Sequence, residues 1–419
     1  MTSILGLGTY PVIHPVHGGQ RRVTAFREFY ASIGVRYGYA CVYNSRHYGR
    51  AAVAAHDVPW NPTVFWAPAG HGSPLPFVED LSSGLQAAEV PETFDRLCSL
   101  IEQMNPQALQ LEQPFMWPFV RKLKSQTRFS GIPVIYSSHN FEGPLKEALL
   151  RDAGTSPQIS RDVRSEIESL EREICSDAAI VISVSRSESE LYSPWCGGRP
   201  VTVVANGVAR PPARGNFNQA HDVFGGNRFL FFVGSSYPPN VQGFCDLVAR
   251  DGLYFCPPQK TVAICGGVCD GIFATDSYQK FLAANSVRVH FFPHLDDTTL
   301  WSIKEACHAV LLPITTGGGS NLKTAEALAL GKWVISTSTA LRAFEDFAED
   351  PNILIADDSA AFHRAAGRVL RSDPPTLSPE SKSRRDELFW DRCFARSQLG
   401  ARLLDNLSQQ TGADLRLTA

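Results

Sequence analysis

The chain has 419 residues, of which 44% are hydrophobic and 19% charged, and its formal net charge is -3. This composition is typical of a soluble globular protein, and the length predicts two domains of about 200 residues each. The near-neutral charge excludes a nucleic-acid partner that depends on a concentrated basic surface. No apolar run reaches the ~18 residues of a membrane-spanning helix, and the first residues do not resemble a signal peptide. We therefore expect a cytoplasmic protein.

Ten cysteines are scattered along the chain without a CxxC pair. Cys265 and Cys269 have no second pair nearby that would complete a zinc site. Several cysteines lie in apolar segments that suit buried thiols. The sequence thus predicts free thiols in a reducing compartment, and it predicts neither a metal site nor a bound cofactor.

The first half alternates strand and helix patterns. Its predicted strands are SILGLG, YGYACVY, ALQLEQP, IPVIYSSHN and AIVISVS, and its clearest helices are RVTAFREFYASIG, PETFDRLCSLIEQMNP and SRDVRSEIESLEREICSDA. Alternation of this kind predicts a parallel sheet that helices cover on both faces. We place this N-terminal domain at residues 1–200.

A loop rich in Pro, Gly and Arg at about residues 200–225 indicates a linker. The second half then resumes with the predicted strands FLFFVG, TVAICGG, VRVHFFPHL and HAVLLP, each followed by a helix pattern. We place the C-terminal domain at residues 201–385. Two doubly wound domains imply an interdomain cleft, with ligands at the carboxyl ends of the strands.

The segment GGGSNLKTAEALALGKW, which follows the last of these strands, has the features of an anion site. Gly317–Gly319 allow a ligand to approach the backbone closely, and Ser320 or Asn321 can cap a helix that runs to about Leu330. The free N–H groups and the dipole at such a helix start attract phosphate. Lys323, in the first turn, adds a positive charge.

Glu326, one turn further, would repel a phosphate, but its carboxylate can accept hydrogen bonds from two vicinal hydroxyls. A ligand that carries both a diphosphate and a ribose diol explains both residues. The alternative is a glycine-rich turn with Lys323 and Glu326 as a surface pair. From the residues alone, the two interpretations stay open.

The same segment resembles the donor motif of the group-1 glycosyltransferases, family 4 of the retaining GT-B enzymes. That motif has two glutamates separated by seven residues; Glu326 matches the second, and Gly318 stands at the position of the first. The segment is similar to a glycine-rich variant in which backbone N–H groups replace the first carboxylate. The resemblance implies the GT-B fold, with two Rossmann-like parallel-sheet domains that face a cleft.

The resemblance also extends to other donor contacts. In FFVGSSYPPNVQG, Ser235 and Asn240 follow Gly234 where the family carries Arg and Lys on the donor phosphates. His294 and Leu295 lie in the segment that contacts the nucleotide base. The remaining residues that the resemblance assigns to the donor are Gly318, Gly319, Ser320, Asn321, Leu322, Lys323 and Glu326.

Two motifs of the first half match the family as well. HPVHGGQRR resembles the glycine loop over the donor phosphates, at Gly18 and Gly19, and YSSHNFEG resembles the strand end whose histidine, here His139, faces the donor sugar. A satisfied core or cap histidine is the alternative. By analogy, the C-terminal helix, residues 386–419, docks back on the first domain. Catalytic roles fall to His139, Lys323 and Glu326.

Each residue that is a candidate for binding the acceptor also has a purely structural interpretation. Glu142 is a candidate base or a helix-start residue, and Arg21 and Arg22 are candidate anion ligands or a solvated helix face. The basic run at residues 121–128 suits either anionic lipid headgroups, and so a peripheral membrane location, or solvent.

The expected function is transfer of a sugar from a nucleoside-diphosphate sugar to a hydroxyl of a glycan, lipid-linked or small-molecule acceptor. If the family's stereochemistry holds, the anomeric configuration of the sugar is retained. We expect the reaction to need no metal and to serve polysaccharide biosynthesis. Two alternatives stay open: a nucleotide-sugar 2-epimerase of the same architecture, and a non-catalytic nucleotide or sugar binder.

Overall fold

A computed structural model describes residues 2–210, 223–316 and 321–407. The chain divides into two compact units. Unit 1 comprises Met1–Ala205 together with Phe394–Ala419, and unit 2 is Asn206–Cys393. Each unit is built around one parallel sheet, and we describe each separately.

The sheet of unit 1 has seven parallel strands in the spatial order β3-β2-β1-β4-β5-β6-β7. The strands are β1 (Ser3–Gly8), β2 (Arg36–Tyr43), β3 (Val58–Pro59), β4 (Ala108–Leu111), β5 (Val134–Ser137), β6 (Ile180–Ser183) and β7 (Thr202–Val203). Strands β1, β4, β5 and β6 are buried along their whole length, as expected for a sheet that is covered on both faces. The predicted strands of the first half are confirmed.

Helices follow most of these strands. The helices are α1 (Gly18–Ser32), α2 (Glu79–Glu89), α3 (Pro91–Met104), α4 (Trp117–Lys124), α5 (Glu142–Asp152), α6 (Pro157–Asp177) and α7 (Arg186–Tyr192). Helix α3 shows why the sequence forms them. Proline stands at its first position, Phe94, Leu97 and Ile101 bury one face, and the left-handed Asn105 ends it.

The sheet of unit 2 has six parallel strands in the order β10-β9-β8-β11-β12-β13. They are β8 (Leu230–Val233), β9 (Val262–Cys265), β10 (Val289–Phe292), β11 (Ala309–Leu312), β12 (Trp333–Ser336) and β13 (Ile353–Ile355). The order is that of a Rossmann sheet, in which the winding direction reverses between two neighbouring strands. In unit 2 the reversal lies between β8 and β11.

The helices of unit 2 connect these strands. They are α8 (Pro238–Phe244), α9 (Val268–Phe273), α10 (Asp276–Lys280), α11 (Leu282–Ser286), α12 (Asp297–Ala306), α13 (Leu322–Ala329), α14 (Ser359–Val369) and α15 (Pro379–Asp386). Gly243 of α8 lies so close to the chain after β11 that a Cβ would be 1.9 Å from the Pro313 carbonyl oxygen. Glycine at this position therefore sets how closely α8 approaches β11.

Residues 394–407 pack within unit 1. Helix α16 (Trp390–Ser397) stops at Gln398, whose φ is 55°, and residues 399–407 are helical again. The Phe394 ring stacks on Phe29 of α1 with 4.2 Å between the centroids. Arg402 donates from Nη1 to the Thr202 hydroxyl at 2.9 Å, beside β7.

All ten cysteines are buried free thiols, which confirms that prediction. Nine of them, all but Cys393, belong to hydrophobic core clusters of aliphatic and aromatic side chains. In the part of the chain that the structure describes, no helix is both long and apolar enough to cross a membrane.

Candidate functional site

Unit 2 collects polar side chains at the carboxyl ends of β8 and β11, where the sheet's winding reverses. Gly234 and Ser235 follow β8 directly, and Asn240 lies in α8. The chain after β11 leads to α13, which carries Lys323 and Glu326. Ligands of open α/β sheets bind in the crevice at this reversal. The fold thus brings five residues that the sequence assigned to one site to the same edge of the sheet.

Helix α13 begins as the sequence predicted. Asn321 is its N-cap, and its Oδ1 accepts a hydrogen bond from the Lys323 backbone N at 3.0 Å. The helix ends at Ala329, and Gly331 follows with a φ of +66°. Gly318, Gly319 and Ser320 lie outside the described residues. Leu322, the first helical residue, is half-buried.

Lys323 reaches across to α8. Its Nζ donates to Asn240 Oδ1, while Asn240 Nδ2 donates to the Ser235 carbonyl at 3.1 Å and to its hydroxyl at 3.2 Å. Burial lowers the pKa of Lys323 to about 8, although the nearby Glu326 opposes this shift. A chain of hydrogen bonds therefore holds a desolvated ammonium group between the two strand ends.

Glu326 forms an ion pair with Lys304 of α12. Both residues line a pocket with Lys323, and its other walls are apolar: Phe231, Val233, Val310, Leu311, Leu312, Ala327 and Leu330. Sequence reasoning missed Lys304. No local pattern indicates it, because its partner Glu326 lies 22 residues further along the chain, on a different helix.

The two residues assigned to the nucleotide base lie farther along the same edge. His294 and Leu295 follow β10, the outermost strand of the sheet, and precede α12. His294 is exposed, whereas Leu295 packs against the core of unit 2.

In unit 1, the corresponding reversal lies between β1 and β4 and holds a second polar cluster. Tyr10 follows β1, Glu112 follows β4 and His139 follows β5. His139 is buried, with Tyr10 Oη 3.1 Å from its Nδ1 and Glu112 Oε2 3.2 Å from its Nε2. A carboxylate accepts only, so Nε2 carries the proton and, in the neutral ring, Nδ1 accepts from Tyr10.

Glu112 anchors this cluster. It also accepts hydrogen bonds at 2.6 Å from the Tyr37 hydroxyl and from Gln110 Nε2. Burial alone would raise the pKa of Glu112, but the bonds from His139, Tyr37 and Gln110 hold this pKa below its ordinary value. Burial likewise raises the pKa of Tyr10, which keeps its hydroxyl protonated.

Gly18 and Gly19 are not loop residues, so the predicted glycine loop is wrong in its local structure. They form the first turn of α1, which His17 caps by accepting from the Gln20 backbone N at 3.4 Å. The Gln20 side chain closes the cap from the other side by accepting from the His17 backbone N at 3.2 Å. A Cβ on Gly19 would lie 2.3 Å from Tyr10 Oη and 3.2 Å from His139 Nδ1. The helix start therefore abuts the histidine cluster.

With both sites described, the comparisons with known proteins decide the family. Residues 227–372, which include every described residue of the unit 2 site, match the family model of the glycosyl transferases group 1. Residues 227–372 therefore form a domain of the group 1 glycosyltransferases. No curated protein matches its sequence.

Solved structures resemble the fold of this chain over nearly its whole length. A sucrose-phosphate synthase from Thermosynechococcus elongatus aligns with 97% of this chain and 100% of its own, at 15% identity and a TM-score of 0.68. The Anabaena protein HepE, in complex with UDP and glucose, aligns with 97% and 100%, at 14% identity and a TM-score of 0.62. A Listeria monocytogenes protein assigned as a UDP-N-acetylglucosamine 2-epimerase aligns with 98% and 96%, at 11% identity and a TM-score of 0.51. These likenesses show the GT-B fold.

The residues considered for the acceptor differ in exposure. Glu142, the first residue of α5, is buried, and burial raises its pKa. Arg22 is also buried, and its Nη1 donates to the Val204 carbonyl at 3.0 Å, so the alternative of a solvated helix face is wrong for this residue. Arg21, on the same helix, is half-buried.

A pair that the sequence did not indicate lies beside Glu142. Lys146 of α5 forms an ion pair with Asp80 at 2.7 Å, and Asp80 accepts from the Thr9 hydroxyl at 2.5 Å. Burial would raise the pKa of Asp80, but Lys146 and Thr9 lower it. Lys146 and Thr9 lie 66 and 71 residues from Asp80 in the chain, so no local sequence pattern predicts these contacts.

The basic run at residues 121–128 is largely neutralised within unit 1. Arg121 pairs with Glu173, Lys124 with Asp177 and Arg128 with Glu102. Among the residues that the structure describes, no group of three or more His, Cys, Asp or Glu side chains is arranged to hold a metal ion.

Proposed function

We propose that this transferase moves a sugar from a nucleoside-diphosphate sugar to a hydroxyl acceptor and retains the anomeric configuration. The observation that carries the proposal is the pairing of Lys323 with Asn240 and of Glu326 with Lys304, at the strand reversal of the unit that matches the family. A cation and a hydroxyl-binding carboxylate one helical turn apart suit a ligand with a diphosphate and a ribose.

Lys323 and the start of α13 bind the diphosphate in this proposal. The start of α13 presents the positive end of the helix dipole, while the backbone N–H groups of Lys323, Thr324 and Ala325 are bonded to Asn321. Negative charge develops on the diphosphate as the bond to the sugar breaks. A preorganised ammonium group and the helix dipole stabilise that charge more strongly in the transition state than in the ground state.

Glu326 fixes the donor's orientation by accepting hydrogen bonds from the ribose hydroxyls. His139 is the proposed group that faces the donor sugar. Since Glu112 and Tyr10 hold both of its ring nitrogens, the imidazole presents one fixed orientation. A sugar hydroxyl that binds Nδ1 must compete with Tyr10 Oη for it.

The acceptor's hydroxyl proton passes to the leaving phosphate in this mechanism, so that neither a protein nucleophile nor a metal is required. The acceptor is proposed to be a glycan, a lipid-linked oligosaccharide or a small molecule. EDTA should therefore leave the transfer rate unchanged, and restoration of activity by Mg²⁺ after EDTA treatment would refute the metal-free mechanism.

The decisive experiment is a donor screen with product analysis. UDP-glucose comes first because the HepE structure holds UDP and glucose; GDP- and ADP-sugars and a mixture of glycan acceptors follow. Proton NMR at early times should show the transferred sugar with the donor's anomeric configuration. An inverted linkage would refute retention.

Two controls separate the alternatives. A new nucleotide sugar formed from the donor alone would identify an epimerase. If the protein binds a nucleoside diphosphate tightly but releases no nucleoside diphosphate from any nucleotide-sugar donor, it is a non-catalytic binder. Either result would replace the proposed transfer.

A further inference from the structure

Lys304 is a buried lysine with one charged partner. It lies in α12, and only 8% of its side chain is exposed. The walls around it are aliphatic and aromatic. Lysine rarely occupies such a place unless its charge is paired. Among the described residues, the only carboxylate that forms an ion pair with Lys304 is Glu326.

The pair is asymmetric in its exposure. The side chain of Glu326 is 21% exposed, more than twice the fraction for Lys304. Lys304 therefore holds Oε2 of Glu326 from the protein side, while part of the carboxylate stays accessible. A carboxylate has about four lone-pair sites and can accept further hydrogen bonds while one of them is engaged.

Charge gives a second reason for the pair. Glu326 lies one helical turn from Lys323, where an uncompensated carboxylate would repel a diphosphate. Lys304 supplies the compensating charge from the neighbouring helix α12. Such a pair is poor evidence for a stabilising role, because a buried ion pair often contributes no more than well-packed apolar residues do.

We propose that Lys304 is a positioning residue that fixes the Glu326 carboxylate for the ribose diol. The site thereby selects ribonucleoside diphosphates over their 2′-deoxy counterparts. This inference rests on the proposed function, which assigns Glu326 to the ribose. Loss of Lys304 frees the carboxylate to rotate and leaves its charge unbalanced beside the diphosphate.

The test is the ratio of dissociation constants for 2′-deoxy and ribo nucleotides. Calorimetry measures UDP, GDP and ADP against 2′-deoxy-UDP, 2′-deoxy-GDP and 2′-deoxy-ADP on the full-length protein. The wild type should prefer the ribo form of its nucleotide by on the order of tenfold, as expected for a hydrogen bond to a charged group. Lys304→Met should reduce this ratio to about one, and Lys304→Arg should restore part of it.

The matched control is Lys332→Met in the same unit. Lys332 donates to the Glu305 carbonyl, and the ion pair of Glu326 is with Lys304 instead. The ratio for Lys332→Met should therefore equal that of the wild type. Lys304→Gln covers the case in which Lys304→Met does not fold, since glutamine keeps a donor without the charge. Thermal unfolding establishes which variants fold.

Glu326→Gln distinguishes the failure of the inference from the failure of the proposed function. If Glu326→Gln loses the ribose preference while folded Lys304→Met or Lys304→Gln keeps it, the role of Glu326 stands and that of Lys304 is refuted. If Glu326→Gln keeps the preference, the ribose assignment fails and the inference fails with it. In the double variant Lys304→Met/Glu326→Gln, the ratio should fall no lower than in either single variant.

Discussion

Lys323 Nζ donates to Asn240 Oδ1 although 83 residues separate the two in the chain. The contact joins α13 to α8 and so spans the reversal between β11 and β8. A lysine this strongly desolvated holds its proton weakly, and its pKa is about 8. The contact fixes the position of the ammonium group, and burial brings its titration close to physiological pH.

The pH dependence of nucleotide binding tests this lysine. Only the protonated form attracts a diphosphate, and the bound diphosphate in turn stabilises the proton. Affinity for the preferred nucleoside diphosphate should therefore fall as pH rises through about 8, by on the order of tenfold between pH 7.5 and 9.5. The ligand stays fully ionised over this range, because the second phosphate pKa is about 6.

Lys323→Met provides the control for that profile. Its affinity should be lower at pH 7.5 and flat up to pH 9.5. Calorimetric titrations at four pH values check both proteins. A flat wild-type profile, or the same decline in Lys323→Met, would show that another group is responsible.

Asn240 should affect donor binding because its side chain orients the Lys323 ammonium group. Asn240→Ala removes the acceptor of the lysine's hydrogen bond, so the donor KM should rise by roughly three- to tenfold. Asn240→Asp should be worse, because its carboxylate pairs with Lys323 and repels the diphosphate. Gln242→Ala removes a side chain on the same helix that donates to Asp246, and this change should leave KM unchanged. Equal KM values for the alanine and aspartate variants would argue against an ammonium–phosphate contact at this place.

The fold and half of the unit 2 site could be predicted from local patterns. Strands that are buried on both faces appear as short apolar runs, and the cap at Asn321 depends on residues that are adjacent in the chain. The ion pair of Lys304 with Glu326 depends on how α12 and α13 pack against β11, which no local pattern encodes. The cluster of Tyr10 with His139 is similar, since 129 residues separate them.

The glycine pair in unit 1 shows a different reason for a wrong prediction. The resemblance to the family's glycine loop predicts a loop at Gly18 and Gly19. The stronger signal was the spacing of His17 and Gln20, which forms a capping box although histidine is not a usual cap residue. The helix could start on glycines because its cap satisfies the backbone and because no side chain fits beside Tyr10.

Gly19→Ala tests that close approach. Within a helix this change normally stabilises a protein by roughly 0.5–1 kcal/mol. Here the new Cβ would overlap Tyr10 Oη and crowd His139 Nδ1, so we expect destabilisation of about 1–3 kcal/mol together with loss of transfer. Gly131→Ala, where nothing lies within 4 Å, is the control and should be neutral in both measurements. A more stable Gly19→Ala protein with normal activity would refute the contact.

Glu171 offers a test of how the His139 segment is held. Its Oε1 accepts a hydrogen bond from the Tyr192 hydroxyl and one from the Glu142 backbone N, both at 3.0 Å. Glu142 follows His139 by three residues in the chain. Burial raises the pKa of Glu171 to about 8, against about 4.3 for an unperturbed glutamate. The folded state therefore binds a proton that the unfolded state has released over this range, and stability should fall as pH rises from about 5 to 8.

Glu171→Gln keeps the acceptor oxygen but cannot ionise, so it should remove this part of the pH dependence. One such group changes stability by up to about 1.4 kcal/mol per pH unit. The difference between the urea midpoints of Glu171→Gln and the wild type should thus shift in favour of the variant with each increase in pH from 5.5 to 8.5. Glu190→Gln, an exposed change in the nearby α7, should run parallel to the wild type. If the Glu171→Gln and wild-type midpoints also run parallel, then Glu171 is ionised in the folded protein, and the segment that carries His139 is held by a carboxylate rather than by a protonated acid.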